Sequence, residues 1–154
     1  MKRSRKTPLG VLFLLYGILM LWLLFGQRIG RLTVWDYREQ LLLNLNLIPF
    51  ATIGRYLRFL QTQQGDLLRH AIINLAGNIV MFVPLGFFLP CSFPKLRTFL
   101  RLLPAAAGMI LAVEVIQLFT LMGSCDIDDL LLNLIGIFIG YLGFYLLRHR
   151  LSAE

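Results

Sequence analysis

Charge is scarce in this chain. Of 154 residues, 15% are Asp, Glu, Lys or Arg, against 58% apolar. A soluble domain of this length would carry about a quarter of its residues charged to cover its surface, so lipid is the better solvent for this composition. Cysteine is nearly absent: Cys91 and Cys125 are the two. Neither stands in a C-x-x-C pair or a Cys/His cluster, which argues against a metal or redox module. The chain has only two histidines, His70 and His149. No H-E-x-x-H, G-x-S-x-G or phosphate-binding glycine loop occurs, so no familiar hydrolase or nucleotide site is indicated. No metal and no cofactor is implied. There is no internal repeat and no low-complexity tract.

What the chain has instead is long apolar blocks, at residues 9–26, 71–93, 99–122 and 130–147. Each is close to the length of about 20 residues that a hydrocarbon core requires of a helix. The first follows Lys-Arg-Ser-Arg-Lys at 2–6, which resembles a secretory signal. The run is long, however, and no small-x-small site precedes Gln27, so a retained anchor is expected. The expectation is an all-α membrane protein, a four-transmembrane-helix bundle forming one domain over 1–154.

The formal net charge is +7. The basic residues flank the apolar blocks and do not line one face, so they speak for membrane topology and anionic lipid, and not for nucleic acid. Four precede the first block, Lys95, Arg97 and Arg101 lie around the second connection, and Arg148 and Arg150 follow the fourth block. The third connection has no basic residue but holds Asp126, Asp128 and Asp129. Both termini are therefore expected in the cytoplasm. The first connection, 27–70, carries six arginines and would lie outside, as long loops do largely regardless of charge. In it Trp35, Tyr37, Phe50, Tyr56 and Phe59 alternate with Arg38, Arg55 and Arg58. Residues 53–60 read as a short amphipathic helix on the membrane interface.

Polar residues inside the apolar blocks carry the functional question, because a charge at bilayer depth costs about 2.5–3.5 kcal/mol on insertion scales. Asn74 and Asn78 share one face of the second helix, and Glu114 and Gln117 one face of the third. The fourth begins with Asp129 and Asn133, with Gly136, Gly140 and Gly143 on the same stripe. Asp126 would join that face if the helix began early; Asp128 projects elsewhere. Measured to residue 122, Glu114 lies about 12 Å from its helix end. The antiparallel order then puts Asn74, Asn78, Glu114, Gln117, Asp126, Asp129 and Asn133 at similar depth, near the outer face, as one binding cluster. Amides also serve as interhelical glue, and Gly136-x-x-x-Gly140 is a close-packing surface. Pro84 and Gly86 are expected at a structural bend of the second helix. A buried carboxylate is costly glue, so Glu114 and Asp129 are the stronger site candidates.

Several motifs in order resemble the VanZ-like family of small bacterial membrane proteins. They are Asn-Leu-Ile-Pro-Phe at 46–50, then Asn78 with Phe82, Pro84 and Gly86, then Glu114 and Gln117. Asp126-Ile-Asp128-Asp129, Asn133, Gly136 and Gly140 complete the series. The positions that carry over are Asn78, Pro84, Glu114, Gln117, Asp126, Asp129 and Asn133. Asp128 stands where the family admits other polar residues, and Leu134 where a small polar one is common. The resemblance implies a multi-pass protein of the bacterial cytoplasmic membrane. Its namesake is associated with low-level resistance to teicoplanin, a lipid-bearing glycopeptide, and the family brings no assigned reaction. Three readings stand. The cluster engages a lipid headgroup or lipid-linked envelope precursor, with membrane lipids as partners. Alternatively it is an intramembrane enzyme using Glu114 with Asp126 and Asp129, or a purely structural or partner-binding bundle.

Overall fold

A computed structural model describes residues 6–26, 36–61 and 65–153. The basic cluster at 2–5 and Trp35 lie outside them. The chain runs through α1 (Lys6–Phe25), α2 (Tyr37–Leu43), β1 (Leu45–Asn46) and α3 (Ala51–Leu60), then α4 (Gly65–Ser92), α5 (Phe99–Phe119), β2 (Cys125–Asp126) and α6 (Ile127–Ala153). Four of these helices are long and apolar enough to cross a membrane: Pro8–Phe25, Gly65–Ser92, Phe99–Phe119 and Ile127–Arg150. The fold is an all-α membrane bundle. Its exposed apolar side chains, such as Leu100, Phe138 and Ile139, are those a lipid-facing surface requires.

The boundaries depart from those read in the sequence. α4 begins six residues early, with Asp66 in its first turn, where a carboxylate complements the helix dipole. α5 stops at Phe119 because Leu121 takes a left-handed backbone, φ 54°, which a helix cannot continue. Glu114 therefore sits five residues from the helix end, about 7.5 Å, and not 12. α6 begins at Ile127, which leaves Asp126 outside it. Asp126 pairs instead in a two-residue parallel bridge, Leu45 with Cys125 and Asn46 with Asp126. The helical projection assigned to Asp126 is thereby replaced.

The most extensive helix contact is α4 with α6, and glycine permits it. A Cβ on Gly86 would run into the carbonyl of Ile137, one on Gly136 into that of Ile79, and one on Gly140 into that of Val83. The two backbones touch at these three points, as small residues allow in lipid. α4 continues as helix through Pro84 and Pro90. Phe82, Leu85, Leu89, Leu102, Ala106, Ile110 and Ile137 fill the core between α4, α5 and α6. α1 lies at the periphery with most of its side chains exposed. It is tied in by the Tyr16 hydroxyl, which donates to the Met81 carbonyl at 2.8 Å, and by Phe13 stacked on Phe88.

α3 covers one end of the bundle, where α4 and α6 begin and α5 ends. Thr52, Ile53, Tyr56 and Phe59 are buried or half-buried along one face, while Arg55, Leu57 and Arg58 are exposed. This is the amphipathic segment expected after the first helix. It packs against both α4 and α6.

Candidate functional site

At that end the polar residues form two neighbouring groups. The first is a closed knot around Asp126 and Asp128. Asp128 is fully buried. Its Oδ1 accepts from the Phe50 amide at 2.6 Å, and its Oδ2 from the amides of Thr52 at 2.8 Å and Ile53 at 3.0 Å. It thus caps the N-terminus of α3 from across the molecule, where the helix dipole favours an anion. Phe50 holds a left-handed backbone, φ 64°, and in this conformation presents its N–H to the carboxylate. Asp126 is served by the Thr52 hydroxyl at 2.6 Å, the Asn46 amide at 3.0 Å and the Asp128 N–H at 2.8 Å. Asn46 also donates to Thr52 Oγ1 at 2.9 Å. The backbone N–H of Asp126 in turn donates to Glu114 Oε2 at 3.3 Å. Among the described residues no group of three or more His, Cys, Asp or Glu could hold a metal ion.

The second group is open. Asn74, Asn78 and Met81 from α4, Gln117 from α5, Ser124, and Asp129 from α6 line a cleft of about 140 Å³. Leu23 and Leu24 of α1 close its side. The amide orientations follow from the partners, all of them acceptors. Asn78 Nδ2 donates to Asp129 Oδ1 at 2.5 Å, Asn74 Nδ2 to the His70 carbonyl at 2.9 Å and Gln117 Nε2 to the Leu24 carbonyl at 2.9 Å. One N–H of each nitrogen is committed to protein, which leaves the three amide oxygens as acceptors and a second N–H on each amide as a donor. Gln117 is 8% exposed, so the cleft is built on a side chain that is itself buried. Asp129 is the one charged residue lining it among those described.

The seven residues expected to form one cluster are thus divided. Asn74, Asn78, Gln117 and Asp129 line the cleft. Glu114 and Asp126 belong to the knot beside it. Asn133, one turn along α6 from Asp129, is buried outside the lining, and its Oδ1 has no hydrogen-bond partner. Gly86, Gly136 and Gly140 sit on the α4–α6 seam, and Pro84 lies within α4. Sequence reading missed Asp128, Asn46 and Thr52. The 46–50 motif contained one half of the knot and Asp126-Ile-Asp128 the other, but nothing in either segment says that they meet.

Two groups outside the spans register the local negative charge. The Tyr56 hydroxyl is pushed up by burial and then by Asp129, with Arg55 opposing and Asp126 adding. The Cys125 thiol is pushed up by burial, then by Glu114 and Asp126. Cys125 is also buried, so it is a poor reporter of sidedness.

Comparison with known proteins accords with this architecture. A family described as VanZ/LLP1 matches residues 13–148. The chain is 28% identical over 130 residues to "Protein VanZ" of Enterococcus faecium, covering 84% of this chain and 68% of that protein. No solved structure matches it.

Proposed function

The chain belongs to the VanZ/LLP1 family, and from that premise we propose that its polar cleft engages the headgroup of a membrane lipid or lipid-linked envelope precursor at the outer face. Altered access of teicoplanin-type glycopeptides to their target would follow. The observation that carries this reading is the contrast in hydrogen bonding. The knot's carboxylates are surrounded by donors from the protein, whereas the cleft keeps amide oxygens facing an opening. Polar groups at this depth find no partner in hydrocarbon, so a headgroup is the natural complement. The outer placement is supported by Lys95, Arg97 and Arg101 at the opposite end of the bundle, and by the absence of Lys and Arg from 120–129.

The test is expression in a susceptible bacterial host. Teicoplanin tolerance should rise with the wild-type chain and return to baseline with Asp129→Asn at equal membrane abundance. Tolerance retained by Asp129→Asn and Asn78→Ala alike would remove the cleft from the function. Sidedness is read with Gln61→Cys at an exposed position, in a Cys91→Ala, Cys125→Ala background. An impermeant maleimide should label it on intact cells, and labelling only after lysis would place the cleft in the cytoplasm.

A further inference from the structure

We propose that residues 37–60 form a hairpin that re-enters the bilayer, with its tip at 47–50 seated among the acyl chains of one leaflet. Depth is the first reason. α5 ends at Phe119. α1 ends at the same level, because Gln117 Nε2 donates to the Leu24 carbonyl, next to the last residue of α1. These ends mark the edge of the apolar belt. From Phe119 down α5 to Glu114 is about 7.5 Å, and Glu114 accepts from the Asp126 N–H. From Ala71, where the apolar run of α4 begins, down to Asn78 is about 10.5 Å, and Asn78 donates to Asp129. Two helices counted separately thus put the start of α6, with Asp126 before it, well below that edge.

The first connection follows α6 to that depth. At the start of α2 the Tyr37 hydroxyl donates to the Phe119 carbonyl at 2.8 Å, level with the edge. Just past its end the Asn44 carbonyl accepts from the Cys125 N–H at 2.9 Å, and β1 runs parallel to β2, in the direction α6 takes into the membrane. α3 then climbs back along α4, since the chain must reach Gly65, about 19.5 Å above Asn78. The composition fits hydrocarbon. No Asp, Glu, Lys or Arg occurs from 40 to 54, while Arg38 and Glu39 precede the stretch and Arg55 follows it. Leu42, Leu43, Leu47, Ile48 and Phe50 are each at least 60% exposed. Irregular backbone is tolerated at this depth only where its polar groups are satisfied by protein, and from 48 to 54 every N–H is. Ile48 donates to Asn46 Oδ1, Phe50, Thr52 and Ile53 to Asp128, Ala51 to the Ile48 carbonyl and Gly54 to that of Phe50. Pro49 has no N–H to satisfy. The knot is then what lets a turn lie in lipid.

The experiment uses the full-length chain in phosphatidylcholine vesicles, with bimane on single cysteines at Leu47→Cys or Ile48→Cys in a Cys91→Ala, Cys125→Ala background. Two quenchers are compared: phosphatidylcholine carrying a nitroxide near the top of its acyl chain, and iodide present on both faces. Ile139→Cys, exposed along α6, is the lipid reference, and Gln61→Cys, exposed just past α3, the water reference. Emission at 47 and 48 should be blue-shifted to match 139, lost to the nitroxide lipid and unchanged by iodide, with the reverse at 61. A variant whose circular dichroism departs from wild type is replaced by Leu43→Cys, on the descending arm. Iodide quenching at 47 and 48 as strong as at 61 overturns the proposal by placing the tip in water. Quenching by neither reagent overturns it too, since the tip is then covered by protein, a second copy or another partner. The outcome is independent of the side the hairpin faces and of what the cleft binds.

Discussion

Asp128 and Asp129 are neighbours in sequence and opposites in use. Asp128 is enclosed, holding three backbone amides of the α3 start. Asp129 accepts from Asn78 and lines a cleft. The knot and the cleft are made from the same kinds of residue at the same end of one bundle. The closed one fastens α3 to α6; the open one has groups left to offer. In a membrane protein, therefore, a buried carboxylate is informative only together with its partners.

The largest expected effect comes from breaking the closed side. Asp128→Ala strips a buried charged partner from three amides and should destabilise the chain by about 3 kcal/mol, measured by unfolding in mixed micelles. If Asp128→Ala unfolds like wild type, the knot is not a fastening. Next is Thr52→Val, which deletes the hydroxyl between Asn46 and Asp126 and should cost about 1–2 kcal/mol. On the open side the effect on folding shrinks while the effect on function grows. Asp129→Asn keeps an oxygen for Asn78 and should change stability by less than about 1 kcal/mol while abolishing the phenotype. A larger stability loss would make Asp129 a second Asp128.

Asn133 sharpens the comparison from outside both groups. Its unpartnered oxygen is an energetic burden, so Asn133→Leu should leave stability within about 0.5 kcal/mol or raise it. A clear loss would mean that Asn133 is structural glue after all. The smallest effect is at Cys125. With its thiol pushed up by burial and by Glu114 and Asp126, the thiolate is depleted at neutral pH. Iodoacetamide should react slowly there and faster only as pH rises beyond the ordinary thiol range of about 8.5. Asp126→Asn, by removing one of the charges, should shift that rise downward.

The spans were legible because lipid imposes a length and an apolar composition that 20-residue windows reveal. The glycine stripe was legible because Gly136 and Gly140 repeat at helical spacing, although its partner Gly86 on α4 was named only as part of a bend. Asn74, Asn78, Gln117 and Asp129 could be brought to one depth by counting along antiparallel helices. The knot could not. Its hydrogen bonds join residues 74 to 80 positions apart, and β1 and β2 are too short to leave an alternating pattern. Asp126 and Asp128 were assigned faces on an assumed helix, but the bridge to 45–46 holds the first off the helix and the left-handed Phe50 turns α3 onto the second.

That distant capping also sets an order of assembly. Domains emerge from the ribosome N-terminal part first, so Phe50, Thr52 and Ile53 are made long before the carboxylate that will receive their amides. α3 must wait at the surface, its first turn uncapped by Asp128, until α5 and α6 have inserted as a hairpin. The last hairpin to enter the membrane is then the one that latches the earlier segment, and a chain interrupted before Asp128 would leave α3 held by α4 alone, its first turn uncapped.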